Sequence, residues 1–167
     1  MDDTLKIIIG TLSGFVIAFF AEPIKIFFQN RAKINNIRLA VYKEMSHNYV
    51  VIYNNFQPYK RKVSVLIKQI QDELLDDCYK FATSQDISLY YQLGEAIIIN
   101  ELYKQVQQIK TTTIKDASSA RLLAEIYNNN FGGAIRMGKF SKKALKKAMG
   151  PKFISFVLST CNEEHSS

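Results

Sequence analysis

Cysteine, proline, glycine and histidine are all scarce in this chain, and each scarcity excludes something. Its 167 residues include two cysteines, three prolines, seven glycines and two histidines. Cys78 and Cys161 lie far apart and match neither a metal-ligand spacing nor a disulfide framework, so they read as two reduced thiols of a cytosolic domain. With few prolines and glycines, turn clusters are sparse, which argues for long helices over many short strands. The apolar content is ordinary and spread along the whole chain, which excludes a disordered protein. The length suits one membrane segment plus one small domain with a single core. No internal repeat and no low-complexity tract interrupts it.

Patterns that support catalysis are missing too. His165 lies in the C-terminal tail, and His47 sits in a helical stretch among aromatic residues, where it reads as a structural or surface side chain. No second histidine, cysteine pair or carboxylate stands at ligand spacing from His47, so no metal site and no catalytic residue is expected. No glycine-rich phosphate loop of the P-loop or Rossmann type occurs, and no cofactor is expected. Small helical ribonucleases often need an arginine a few residues before a histidine. Here the nearest arginine before His47 is Arg38, and the nearest basic residue before His165 is Lys152. The reading is therefore not an enzyme.

Acidic residues are absent from one long stretch. Between Ile126 and Asn162 the chain carries seven basic residues (Arg136, Lys139, Lys142, Lys143, Lys146, Lys147 and Lys152) and no Asp or Glu, which equals the whole formal excess of +7. An anionic partner is implied for this segment: phosphate, nucleic acid or lipid headgroup. Within it, Asn128-Asn129-Asn130-Phe131-Gly132-Gly133 reads as the clearest loop of the chain, because Asn and Gly tolerate positive φ. Exposed backbone N–H groups in such a loop, beside clustered Lys and Arg, suit phosphates. Tyr127 and Phe131 could stack on bases. Ser141 is then the expected N-cap of a short basic helix, Lys142 to Met149, stopped by Gly150-Pro151. Phe140, Ala144, Leu145, Ala148 and Met149 form its buried side; Lys142, Lys143, Lys146 and Lys147 form its outer side. The candidate anion-binding set is Asn130, Phe131, Arg136, Lys139 and those four lysines. Two blander readings stand beside it: a helix lying near an anionic leaflet, where each lysine adds up to about 1 kcal/mol, and a plain solvated face.

Charge is also absent at the other end. Ile7 to Ala21 is uncharged and almost wholly apolar. As a helix it rises about 23 Å, short of a hydrocarbon core of about 30 Å. The apolar run resumes after Glu22-Pro23 with Ile24, Ile26, Phe27 and Phe28, and Lys6 and Lys25 can snorkel to the headgroups. From Leu5 to Phe28 the segment is long enough to span. A signal peptide would begin with a basic region, whereas this chain begins Met1-Asp2-Asp3, and Phe19-Phe20-Ala21 makes no small-x-small cleavage site. On the N-terminal side the only basic side chain is Lys6; Lys25, Arg31, Lys33, Arg38 and Lys43 follow on the other. The positive-inside rule then places the C-terminal domain in the cytoplasm of a single-pass protein of the bacterial inner membrane. Gly10, Gly14 and Ala18 repeat every four residues, and Glu22 is the next step on that face. Small residues so spaced let helix backbones approach closely in lipid, which predicts a homo-oligomer with Glu22 at its cytoplasmic mouth. The competing reading is that Gly and Ala are merely common in membrane helices and Glu22 sits among headgroups beside Lys25. Pro23 is expected to kink the helix or restart it.

The remainder reads as a helical bundle, so the fold class is all-α: an anchor over 1–30, a cytosolic α-helical domain over 31–162 whose part 31–56 is stalk and first helix, and a flexible tail over 163–167. Ile37, Val41, Met45, Ile52 and Phe56 form one stripe of a long helix, which Gln57-Pro58-Tyr59 ends. A second helix is expected over Val63 to Ala82, its outward face carrying Asp72, Glu73, Asp76 and Asp77 to solvent. Asp86 is the expected N-cap of a third helix to about Lys110, whose wide apolar arc suggests the centre of the bundle. Thr111 to Ile114 breaks the pattern, Asp116 caps a fourth helix to about Tyr127, and a last apolar helix, Lys152 to Cys161, packs back.

This layout, with the opening Ile9-Gly10-Thr11-Leu12-Ser13-Gly14-Phe15-Val16-Ile17-Ala18-Phe19-Phe20-Ala21-Glu22-Pro23-Ile24, resembles the small CRISPR-associated membrane accessory proteins of bacteria, loosely the Csx type. The resemblance implies an antiviral effector. One branch of such proteins senses a cyclic oligoadenylate and disturbs the inner membrane. Another forms a pore alongside an RNA-targeting nuclease and has been linked to an arginine–histidine motif that this sequence lacks. The implied partners are the lipid bilayer, further copies of the chain, a cyclic oligonucleotide or RNA, and a CRISPR effector complex. The alternative from a different class is a passive single-span scaffold that recruits a cytosolic partner.

Overall fold

The structure is a computed structural model and describes residues 3–56, 70–112 and 117–163. Among these residues no strand occurs, and the fold is all-α. The helices are α1 (Asp3–Phe56), α2 (Asp77–Gln85), α3 (Ile87–Tyr90), α4 (Ala96–Thr111), α5 (Ala117–Arg136), α6 (Lys142–Met149) and α7 (Pro151–Glu163), with one further helical turn at 70–73. The helix end at 57–59, residues 63–69 of the second expected helix, the Asp116 cap and the tail 164–167 with His165 lie outside the described residues.

α1 is a single helix of 54 residues, about 80 Å long, with two different halves. Its first half displays large apolar side chains to open space: Ile7, Phe15, Ile17 and Phe19 are 68%, 70%, 69% and 65% exposed. Its second half is core, with Val41, Tyr42, Met45, Asn48 and Ile52 fully buried. Pro23 lies inside the helix and does not restart it, and the line between anchor and domain at residue 30 falls within unbroken helix. Among the described residues, α1 alone is long and apolar enough to cross a membrane; its apolar window has a mean hydropathy of 1.6 and none of it is buried. Thr11 and Ser13 return their hydroxyls to the carbonyls of Ile7 and Gly10 (2.8 and 3.0 Å), so neither leaves a polar group bare on that surface.

The second half of α1 is the hub around which the bundle is built. It packs on α2, α3, α5 and α6, whereas α4, expected at the centre, lies chiefly against α5 and leaves Ile97 77% exposed. The expected helix Val63 to Ala82 is broken. Residues 74–76 are non-helical because α1 captures them: Asn48 donates to the Leu75 carbonyl and accepts from the Leu75 N–H (2.7 and 2.8 Å). Glu44 then accepts from the N–H groups of Cys78 and Tyr79 (2.8 and 3.2 Å), satisfying two of the donors that a helix start leaves open. Asp76, assigned above to a solvated face, is instead buried. Lys80 and Lys110 pair with it at 2.7 and 2.9 Å, and Gln107 donates to it as well. Asp86 likewise does not open one long helix. It precedes only the short α3 and caps with no side-chain hydrogen bond, and a turn over 91–95 separates α3 from α4.

The larger correction concerns Asn128 to Gly133, which is not a loop. α5 runs through it from Ala117 to Arg136. Three Asn and two Gly cost a helix about 4 kcal/mol in propensity. Against that, Tyr127 and Phe131 are fully buried, each contributing about 2–3 kcal/mol, and Ala124, Ala134 and Ile135 continue the same stripe into the core. Tertiary burial outweighs local preference. The stop comes later, at Gly138, which takes φ 66°. There Lys139 N–H bonds to Ala134 O and Gly138 N–H to Ile135 O (3.0 and 3.1 Å), the paired bonds of a glycine-terminated helix end. α6 has the expected bounds and buried side, and Gly150 at φ 78° closes it.

Hydrogen bonds and side-chain contacts fix the direction of α2, α4 and α6 along α1. α2 starts at Glu44 and ends beside Lys33, Asn36 and Ile37, so it runs antiparallel to α1. α4 starts at Glu95, beside Arg38, and continues past Tyr103, whose hydroxyl reaches Glu44, to Lys110 at Leu74. It therefore runs parallel to α1. α6 begins at Tyr42, which accepts from the Ser141 N–H at 3.1 Å. α7 beyond it places Phe153 and Phe156 against Tyr49, so α6 also leads away from the apolar half.

Candidate functional site

Two surfaces draw on the functional reading. The first is the small-residue face of α1. Gly10, Gly14, Ala18 and Glu22 are all exposed, and a Cβ added at Gly10 or Gly14 would meet nothing within 4 Å. Within one chain this face is open, as a helix–helix contact surface must be before assembly.

The second surface is the outer side of α6. Lys142, Lys143, Lys146 and Lys147 are exposed, as are Arg136 and Lys139 before them and Lys152 after them. The ion pairs among the described residues use Arg38, Lys80, Lys110 and Arg121, so the charge on α6 is not neutralised by any of them. The helix repeat sets Lys142 above Lys146 and Lys143 above Lys147, two columns with a rise of about 6 Å between their members. The ridge is held rigidly from behind. Phe140 packs edge-on against Tyr42 with centroids 5.3 Å apart, and Ala144 and Leu145 are buried. Ser141 is the N-cap residue but forms no side-chain cap bond; its N–H goes to the Tyr42 hydroxyl. Tyr42 in turn donates to Glu95 at 2.6 Å, and Glu95 takes the Arg38 guanidinium. Burial first, and then the bond to Glu95, push the Tyr42 phenol well above its ordinary range.

The expected anion set divides. Phe131 is fully buried between Tyr49, Tyr127 and Phe140, and Tyr127 is fully buried with its hydroxyl on the Met45 carbonyl at 3.1 Å. Neither ring can stack on a base without opening the core. The N–H groups expected of a loop are consumed within α5. Asn130 is exposed, but on a helix. Arg136, Lys139 and the four lysines of α6 remain. The ridge is convex, which suits an extended polyanion better than an enclosed nucleotide.

The buried polar groups were not found from the sequence. Glu44, Asn48, Asp76 and Glu95 are all buried, and Tyr103 donates to Glu44. The signal was there for two of them: Glu44 and Asn48 fall at helical spacing on the stripe of Val41, Met45 and Ile52. His47 is exposed, with Nε2 at 3.0 Å from the Glu73 carbonyl, which accords with a structural or surface role. Cys78 is a free thiol, raised above its ordinary value by burial and then by the Glu44 charge. It lines a groove of about 550 Å³ between α1 and α2, with Lys33, Ile37, Phe81 and Asp86 among its walls. Among the described residues no trio of His, Cys, Asp or Glu converges as a metal site would. No known protein family, characterised protein or solved structure matches this chain.

Proposed function

We propose that this chain is a single-span membrane effector that self-associates through the Gly10/Gly14/Ala18 face and is addressed by a polyanion, RNA or a cyclic oligonucleotide, on the lysine ridge of α6. The observation that carries the reading is the continuity of α1: one helix supplies both the exposed apolar half and the buried hub of the bundle. A ligand that favours one packing of the bundle on α1 therefore biases how the apolar halves pack against each other, provided it binds the two arrangements with different affinity. The output is a disturbed or permeabilised membrane, and antiviral defence is the setting that the opening motif suggests. A cytoplasmic position for the bundle follows from the basic residues after the span.

The test uses the full chain in vesicles of neutral lipid and labelled single-stranded RNA or cyclic oligoadenylate. Four phosphate contacts give a slope of about −3 for log affinity against log salt. Changing Lys142, Lys143, Lys146 and Lys147 together to Glu should abolish binding. Affinity that survives those changes removes the ridge from the reading, and unchanged vesicle leakage with ligand bound favours a passive scaffold.

A further inference from the structure

The groove between α1 and α2 carries apolar surface and two unspent charges. Ile37 and Ala82 are buried in its floor and Ala40 is half-buried. Phe81, on its α2 wall, is 60% exposed. Because α2 runs antiparallel to α1, Lys33 and Asp86 lie at the same end of the groove. The ion pairs among the described residues use neither of them. One groove thus holds two opposite charges that the fold leaves unpaired.

The groove opens on the same side of α1 as the small-residue face. Eighteen residues of α-helix make about five complete turns, and α1 is one helix from Gly10 through Ala40. Asn36 therefore points the way Ala18 does, and Ala40 the way Glu22 does. Asn36 and Ala40 both line the groove. Where the Gly10/Gly14/Ala18 faces of two copies meet, their grooves turn toward each other as well.

Space and charge agree with that meeting. From Gly14 to Ile37, α1 rises about 35 Å. Two helices crossing at about 20° separate by about 12 Å over that length, which leaves room for α2 of each copy beside the symmetry axis. A two-fold axis along the membrane normal keeps every residue at its own height and brings the same surface of both copies together. Lys33 of one copy then faces Asp86 of the other, and the two exposed Phe81 rings meet near the axis.

We infer that the α1–α2 groove is the half of the self-association surface that lies outside the membrane, and that its occupant is the same groove of a second copy. The two Phe81 rings pack together over the apolar floors, and Lys33 of each chain pairs with Asp86 of the other. This contact rests on the self-association proposed for the Gly10/Gly14/Ala18 face. It extends that face along α1 and makes the dimer the unit of assembly.

The test places Phe81→Cys and, as a control, Leu122→Cys separately in the full chain with Cys78 and Cys161 changed to Ser; Leu122 is 58% exposed on α5. In vesicles of neutral lipid under mild oxidation, Phe81→Cys should give a disulfide-linked dimer several-fold faster than Leu122→Cys. Lys33→Glu or Asp86→Lys alone should slow that linkage several-fold, and the two together should restore it. If Phe81→Cys links no faster than Leu122→Cys while light scattering in detergent still shows an oligomer, the groove contact is overturned and the Gly14 face stands. If the single charge reversals leave the rate unchanged, the pairing of Lys33 with Asp86 is overturned, and the facing of the grooves with it. If the chain is monomeric, self-association falls and the groove contact falls with it.

Discussion

Glu44 is the residue whose loss should cost most for the fewest atoms changed. Its carboxylate is buried in the first half-turn of α2, accepting the Cys78 and Tyr79 N–H groups at 2.8 and 3.2 Å. The Tyr103 hydroxyl, 1% exposed on α4, donates to the same group. Glu44→Ala leaves two backbone donors without an acceptor and the phenol with only the Val41 carbonyl, 3.5 Å away. An unmet buried donor costs about 1–3 kcal/mol; taking the low end for the half-buried N–H groups, the sum is about 4 kcal/mol. The helix start also loses a favourable negative charge. At about 2–4 °C per kcal/mol for a chain of this size, the midpoint of thermal unfolding should fall by about 8–16 °C. Glu44→Gln keeps one acceptor oxygen and should lose about half as much. Circular dichroism of the full chain in detergent micelles reads both. A fall of less than about 3 °C for Glu44→Ala refutes the account, because it means that α2 is seated by apolar contact alone.

Acid should loosen the same corner through Asp76. Burial alone would raise its carboxyl, but the bonds from Lys80, Lys110 and Gln107 outweigh that and hold it below the ordinary value. Its contribution is therefore complete above about pH 5 and is lost as pH falls below about 3.9 and through the folded value; in Asp76→Asn that part of the acid-induced loss of stability should vanish. Alkali should act through Tyr42, Tyr103 and Tyr127, whose phenols are raised chiefly by burial. Their stabilisation is present below about pH 10 and is lost as pH rises above it, so the tyrosinate absorbance that belongs to these three phenols should appear together with unfolding; a full tyrosinate yield from the folded chain would contradict their burial. Gly14→Leu should reduce the oligomer seen by light scattering in detergent, since it fills the space that is open beside α1; an unchanged mass removes that face from the assembly.

Some of this protein was legible in its sequence because the physics there is local. Fifteen uncharged residues from Ile7 to Ala21 need no tertiary partner to be read as an apolar helix. The stripe of Val41, Met45 and Ile52, and α6 with Ser141 before it and Gly150 after it, follow from helical periodicity and from the conformations that stop a helix. The lysines of α6 were placed for the same reason, since exposure there is the complement of the buried Ala144 and Leu145. What failed was every judgement in which local preference met a distant partner. Asn and Gly favour a loop at 128–133, yet Tyr127 and Phe131 gain more from the core than the helix loses. The run through Leu74 to Asp76 looks helical, yet Asn48, 27 positions away, takes both backbone groups of Leu75, and Glu44 takes the Cys78 and Tyr79 N–H groups so that a new helix starts there. Periodicity could place Asp76 on a helix face, but only the approach of Lys110 from α4 decided that this face is buried and paired.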